Sequence, residues 1–236
     1  MYRAEDHHWW YVGMRRITCA LLDDAVGRGR PLEILDAGCG TGGAMEYIAD
    51  YGRVVGCDFS AEALGFCTAR GLGRLARASV DALPYPDSHF DLVVSFDVIS
   101  DGDADDERAL GEFARVLRPG GHLLLRLPAF SWLRGTHDAA VNVSHRFTKG
   151  ELRGQLRRVG LEPTKMSYAN MFLLPAAAAR RLSDRLLARG AVASDLAIDV
   201  GAWNGPLASI LSAEAPLIRR AGLPLGLTLI ALASKA

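Results

Sequence analysis

Asp36, Gly38, Gly40 and Gly42 stand at alternate positions, and Asp58 and Asp81 follow at intervals of about twenty residues. The glycines come directly after an apolar stretch, Leu32 to Ala37. They precede Ala44-Met45-Glu46-Tyr47-Ile48, which has helical character. The segment therefore predicts a strand, a tight turn and a helix. Glycines at such a turn let a ligand lie against the backbone, and the helix amino terminus adds unpaired N–H groups and a positive dipole end. Gly38, Gly40 and Gly43 also satisfy the G-x-G-x-x-G pattern of dinucleotide-binding turns. Asp36 argues against that ligand. A carboxylate two residues before the first glycine repels a pyrophosphate and attracts an ammonium group. Asp58 ends the second apolar run, Arg53 to Cys57, at the offset where a carboxylate accepts hydrogen bonds from ribose hydroxyls.

Asp36-x-Gly38-x-Gly40-x-Gly42 followed by Asp58 resembles the class I S-adenosylmethionine (SAM) dependent methyltransferases, as does the later turn Val116-Leu117-Arg118-Pro119-Gly120-Gly121. The resemblance implies an α/β, Rossmann-like fold: a seven-stranded, mostly parallel sheet of order 3-2-1-4-5-7-6 with helices on both faces. It implies SAM as cofactor and S-adenosylhomocysteine as product. Asp36, Ala37, Gly38, Gly40 and Gly42 are then expected around the methionine end and Asp58 on the ribose. Phe59 would lie along the adenine, with Asp81 on its amino group and the Ala82 and Leu83 backbone at its edge. Ser95 falls at the carboxyl end of the fourth strand, where ligands of open α/β sheets bind. His-Trp-Trp openings followed by arginine occur in similar methyltransferases. That places Trp10 beside the sulfonium and Arg15 on the methionine carboxylate, although this aromatic stretch could equally staple the first helix to the domain.

Methyl transfer from a sulfonium is an in-line displacement, so position and approach angle carry much of the acceleration. A base is needed only when the acceptor holds its proton at neutral pH, and histidine suits that work. His145 and His137 are the candidates, with Asp138 able to orient an imidazole; closure of the loop through hydrogen bonds is the competing role. Arg146, Trp132 and Phe172 are candidates for acceptor binding, with a salt bridge or hydrophobic packing as the alternatives. No metal site is expected from His137, Asp138 and His145, whose spacing is irregular. The resemblance reaches enzymes of secondary-metabolite and glycan pathways and implies methylation of oxygen, nitrogen or carbon in a small molecule. A SAM-binding protein with a non-methylating reaction, such as a cyclisation, is the second reading. A nicotinamide-dependent oxidoreductase is the third.

The chain must position these residues with 236 amino acids, enough for one α/β domain. The single domain comprises residues 1–236, with 1–30 a helical cap and 170–224 a helical insertion before the last strand. Within that insertion, Pro175 to Arg189 and Pro206 to Arg220 read as helices. It also offers a surface for homo-oligomer formation. Twenty-seven basic and twenty-seven acidic residues cancel, which disfavours nucleic acid as partner. Four cysteines form no C-x-x-C pair. No apolar run reaches the roughly eighteen residues of a membrane span, and Met1 to Asp6 has no secretory pattern. Cytoplasmic location follows as the expectation.

Overall fold

The computed structural model describes residues 2–29, 31–102, 104–133, 142–179 and 200–236. Its centre is a seven-stranded sheet of order β3-β2-β1-β4-β5-β7-β6, as the resemblance implied. The strands are β1 (Leu32–Ala37), β2 (Gly52–Asp58), β3 (Leu75–Arg77), β4 (Phe90–Phe96), β5 (Leu117–Pro128), β6 (Leu161–Ala169) and β7 (Thr228–Lys235). All pair in parallel except β7, which runs antiparallel to both β5 and β6. The middle strands are buried on both faces, which explains their near-continuous apolar runs.

Residues of alternate parity face opposite layers. Leu35, Val93, Leu123 and Leu125 pack with Leu110 and Phe113 of α4 (Asp106–Val116) and Leu152 and Leu156 of α5 (Lys149–Arg158). Ile34, Leu92, Val94 and Leu124 pack with Met14, Ile17 and Leu21 of α1 (Trp9–Ala25) on the other face. The remaining helices flanking the site are α2 (Gly43–Ile48) and α3 (Ala61–Ala69).

Local chemistry sets the helix ends. Ser60 caps α3 and Asp105 caps α4, each accepting a backbone N–H from three residues on. Thr148 and Glu151 form a reciprocal capping box on α5. Gly160, at φ 79°, ends that helix in the left-handed region.

The insertion differs from the sequence reading. Residues 174–179 are helical, and residues 180–199 of the first expected helix lie outside the described set. The second expected helix is split into α6 (Asn204–Ser212) and α7 (Ala215–Arg220). The cause is Glu214, which is wholly buried at the break. Its carboxylate accepts the N–H groups of Asn170 (2.6 Å) and Phe172 (2.9 Å), tying the insertion to the end of β6. Burial raises its pKa. Asn204 grips the start of α1, accepting the Trp9 N–H at 2.7 Å and donating to the His7 carbonyl at 2.7 Å. The described part of the insertion therefore holds the amino-terminal cap in place. Among the described residues, no helix is long and apolar enough to cross a membrane.

Candidate active site

The β1–α2 turn carries Gly38, Gly40 and Gly42 at φ 80°, 54° and 86°, a region that L side chains avoid. A Cβ at Gly38 would also overlap Val98. Asp36, the last residue but one of β1, leads into this turn and is 1% exposed. Its Oδ2 has no hydrogen-bond partner among the described residues. Burial lifts its pKa from 3.8 to about 7, with Asp58 and Glu5 adding to the rise and Arg126 opposing it. An unpartnered, desolvated carboxylate of this kind calls for a cationic ligand group.

Asp58 does two jobs at once. One oxygen accepts the Gly40 N–H and the other the Ser60 N–H, both at 2.9 Å. These bonds lock the glycine turn to the end of β2 while each oxygen keeps a lone pair for a ribose hydroxyl. Phe59 follows it and is 63% exposed, a free aromatic face at the sheet edge. Asp81 accepts the Asp105 N–H through Oδ2 at 3.4 Å, and its Oδ1 is buried without a partner among the described residues. Ala82 gives its N–H to Ser79, and Leu83 gives its own to Glu112 at 2.7 Å. The Leu83 N–H, expected at the adenine edge, is thus already spent. Ser95 is buried in β4, and its Oγ has no partner among the described residues.

The sequence reading missed Glu5. Its carboxylate accepts the Thr41 hydroxyl (2.6 Å) and the Gly43 N–H (3.1 Å), so the anion position at the α2 amino terminus is filled by the protein itself. A pyrophosphate would have to displace it. Arg70 secures the arrangement with hydrogen bonds to the Thr41 and Tyr2 carbonyls and ion pairs with Glu5, Asp6 and Glu46. Its guanidinium also stacks over the Tyr2 ring at 4.6 Å. The first residues are therefore a strap across the glycine turn.

Trp10 and Arg15 separate. Trp10 faces the sheet, with the Arg126 guanidinium 4.6 Å from its ring. Arg15 is exposed and lies over the Tyr47 ring of α2 at 5.3 Å. Arg126, on β5, was not singled out from sequence either, because a lone arginine in an apolar run carries no spacing signal.

His145 does not present a free imidazole. Its Nδ1 faces Asp106 Oδ2 at 3.0 Å and its Nε2 faces Glu151 Oε1 at 2.8 Å, while the ring stacks on Phe147 at 4.0 Å. Gln155 joins through the same Asp106 oxygen. The ring ties α4 to α5, with both of its nitrogens engaged by carboxylates. His137 and Asp138 lie outside the described residues. Arg146 is buried and donates to the Ala129 carbonyl at 2.8 Å, which fastens its loop to the end of β5. Trp132 and Phe172 are 57% and 45% exposed, in the segments that follow β5 and β6. No cluster of three metal-ligating side chains occurs among the described residues.

Comparison with known proteins agrees with this geometry. Residues 35–125 match the family model described as a methyltransferase domain. The Mycolicibacterium smegmatis protein named "Probable S-adenosylmethionine-dependent methyltransferase" is 30% identical over 161 residues, 66% of this chain and 61% of its own length. The malonyl-[acyl-carrier protein] O-methyltransferase of Pseudescherichia vulneris is 29% identical over 181 residues, 70% of each chain. The methyltransferase solved with the Haloferax volcanii Trm112 activator superposes with a TM-score of 0.63 at 22% identity, covering 98% of this chain and 91% of that one.

Residues 35–125 thus match a methyltransferase domain, and the chain is similar to proteins named as SAM-dependent methyltransferases. It spans about three-fifths of the first relative's length, 61%. The candidate-site residues have the chemistry to hold SAM. The orphaned Asp36 oxygen matches the α-ammonium, Asp58 the ribose, and the buried Asp81 Oδ1 an exocyclic amine.

Proposed function

We propose that the protein transfers the methyl group of SAM to an oxygen, nitrogen or carbon of a small-molecule acceptor. The observation that carries this reading is the buried Asp36 carboxylate, unpartnered where β1 leads into the glycine turn, with Glu5 already seated at the helix end that a dinucleotide would need. The sulfonium supplies the electrophilic methyl group when SAM is bound. The protein's own part is to fix both ends of the cofactor and to exclude water with the Glu5–Arg70 strap and α1. With His145 committed to Asp106 and Glu151, positioning carries the transfer, and a base is left to the His137–Asp138 stretch for those acceptors that need one. Relatives named as O-methyltransferases and as C-methyltransferases support an acceptor atom of either kind. Trp132, Phe172 and Arg146 are proposed to border the acceptor.

Calorimetric titration with SAM, S-adenosylhomocysteine and NAD tests the cofactor assignment, with micromolar-range binding of the first two expected; tight NAD binding sinks it. Appearance of S-adenosylhomocysteine in step with product separates methyl transfer from a SAM-bound protein that catalyses a cyclisation.

A further inference from the structure

Arg126 is a buried cation whose hydrogen-bonding capacity is only partly used. Its Nε donates to Asp97 Oδ2 at 2.8 Å, and its backbone carbonyl accepts the Asp97 N–H at 2.7 Å. Asp97 takes φ 63° directly after β4 to make both contacts. The guanidinium carbon lies 4.6 Å from the ring centre of Trp10 and 4.6 Å from that of Phe96. Pairing through one edge and stacking on two aromatic rings fix the plane of the group. The residue is 8% exposed. Among the described residues neither terminal amino group has a hydrogen-bond acceptor. Tyr11, one residue beyond Trp10, lies within electrostatic range, and burial pushes its phenol up to about 12, so it serves as a donor.

The carboxylates nearest to it are Asp97, in contact, and Asp36, within electrostatic range. A guanidinium with two parallel amino groups free matches a carboxylate in bidentate fashion. Its strand, β5, lies next to β4 on the side away from β1 and β2. That is the direction in which an acceptor must approach once the nucleoside occupies β2 and β3. We propose that Arg126 binds a carboxylate of the acceptor, and that this carboxylate is the group methylated. The proposal deepens the methyltransferase reading and rests on it.

The chemistry is consistent with the absence of a free imidazole at position 145. A carboxylate is already ionised at neutral pH and has no proton to remove. A lone pair of its oxygen forms the new bond to the methyl carbon. The carbon–sulfur bond breaks, and its electron pair returns to sulfur as the neutral thioether of S-adenosylhomocysteine. The product is a neutral methyl ester. It loses its charge attraction to Arg126 at the moment it forms, which favours release.

The test uses full-length protein loaded with S-adenosylhomocysteine, and octanoate, benzoate and a malonyl thioester as probes. Titration should detect at least one of these, while the matching amide does not bind. With SAM in place, the bound acid should yield an alkali-labile methyl ester. Arg126→Met should weaken carboxylate binding roughly 100-fold, the effect of losing a charged two-bond fork. Arg126→Lys, which keeps the charge and protects the fold, should give an intermediate loss. SAM affinity should stay within about twofold in Arg126→Lys, which keeps the charge that opposes the rise in the Asp36 pKa. A loss of SAM affinity in Arg126→Lys as large as its loss of carboxylate binding would assign the guanidinium to the cofactor and overturn the proposal. So would equal binding of acid and amide, failure of every carboxylate to bind, or an alkali-stable product. If S-adenosylhomocysteine accumulates only with acceptors lacking a carboxylate, the methyltransferase reading stands and this proposal falls. If no acceptor class yields it although carboxylates bind, the methyltransferase reading falls, and with it the ester step.

Discussion

Asp36 makes cofactor affinity a function of pH, and the direction follows from its burial. In the ligand-free protein its pKa is lifted from 3.8 to about 7. A rise of that size corresponds to about 4 kcal/mol for holding the carboxylate ionised without a cationic partner. The folded state binds this proton more tightly than the unfolded state does. The free protein therefore loses stability from this group as pH rises from 4 through 7, and the loss is complete above that. A ligand ammonium on Oδ2 returns much of the cost by stabilising the ionised form.

Binding must then displace a proton below pH 7. At pH 6, about 0.9 proton should leave on complex formation, and affinity should fall about tenfold for each further unit of acidity. On the alkaline side affinity should hold until the ligand's α-amino group, kept protonated by its own neighbouring carboxylate, begins to deprotonate. Affinity should therefore rise up to about pH 7 and level off above it. Titration calorimetry with S-adenosylhomocysteine at pH 5.5 to 9, in two buffers of different ionisation enthalpy, gives both affinity and proton count. Asp36→Asn should flatten the acidic limb, weaken binding about 10- to 100-fold and raise the melting temperature of the free protein at pH 8 by several degrees. A flat affinity between pH 5.5 and 7 with no proton exchange would refute the reasoning.

Asp58→Ala should weaken SAM binding by roughly 1–3 kcal/mol, and because Asp58 also holds the Gly40 and Ser60 N–H groups, faster amide exchange in the glycine turn should accompany it. Asp81→Ala should cost less in the same titration, since a single neutral amine is lost. Arg70→Ala should release the Glu5 strap, lowering SAM affinity and exposing residues 2–7 to proteolysis; an unchanged digestion pattern counts against the strap. His145→Ala should lower the melting temperature through the lost tie between α4 and α5, while kcat at saturating substrate stays within about threefold; a loss of 10²-fold or more would restore it as the base.

Much of the site was legible because it is local. The glycine turn, Asp36 and Asp58 lie within one strand-turn-helix-strand unit, where spacing along the chain is spacing in space. Strand order was legible through the family pattern and the apolar runs, and β1 and β4 begin and end where those runs do. Boundaries failed where a buried polar group intervened. Glu214 breaks the second insertion helix because its carboxylate answers two backbone N–H groups at the end of β6, and no helical periodicity announces that.

The groups that sequence could not rank are those whose roles arise from pairing across the sheet. His145 reads as a base because its residue type suits the task, yet Asp106 and Glu151, one on each side, convert it into a tie. Arg126 reads as an oddity in the run Leu123 to Leu127, where a cation on a doubly covered strand should be costly. Its register opposite Phe96, and the position of Trp10 on the helix above, supply two ring faces, while Asp97 supplies the counter-charge. Those three partners come from β4 and α1, about 30 and 115 residues away in sequence. A buried charge held this way keeps a local field that an apolar residue at the same place would not provide. The histidine that sequence favours is saturated, and the arginine it passes over retains free donors. On the proposed reading, acceptor choice rests on these long-range pairings and cofactor binding on the short-range motif.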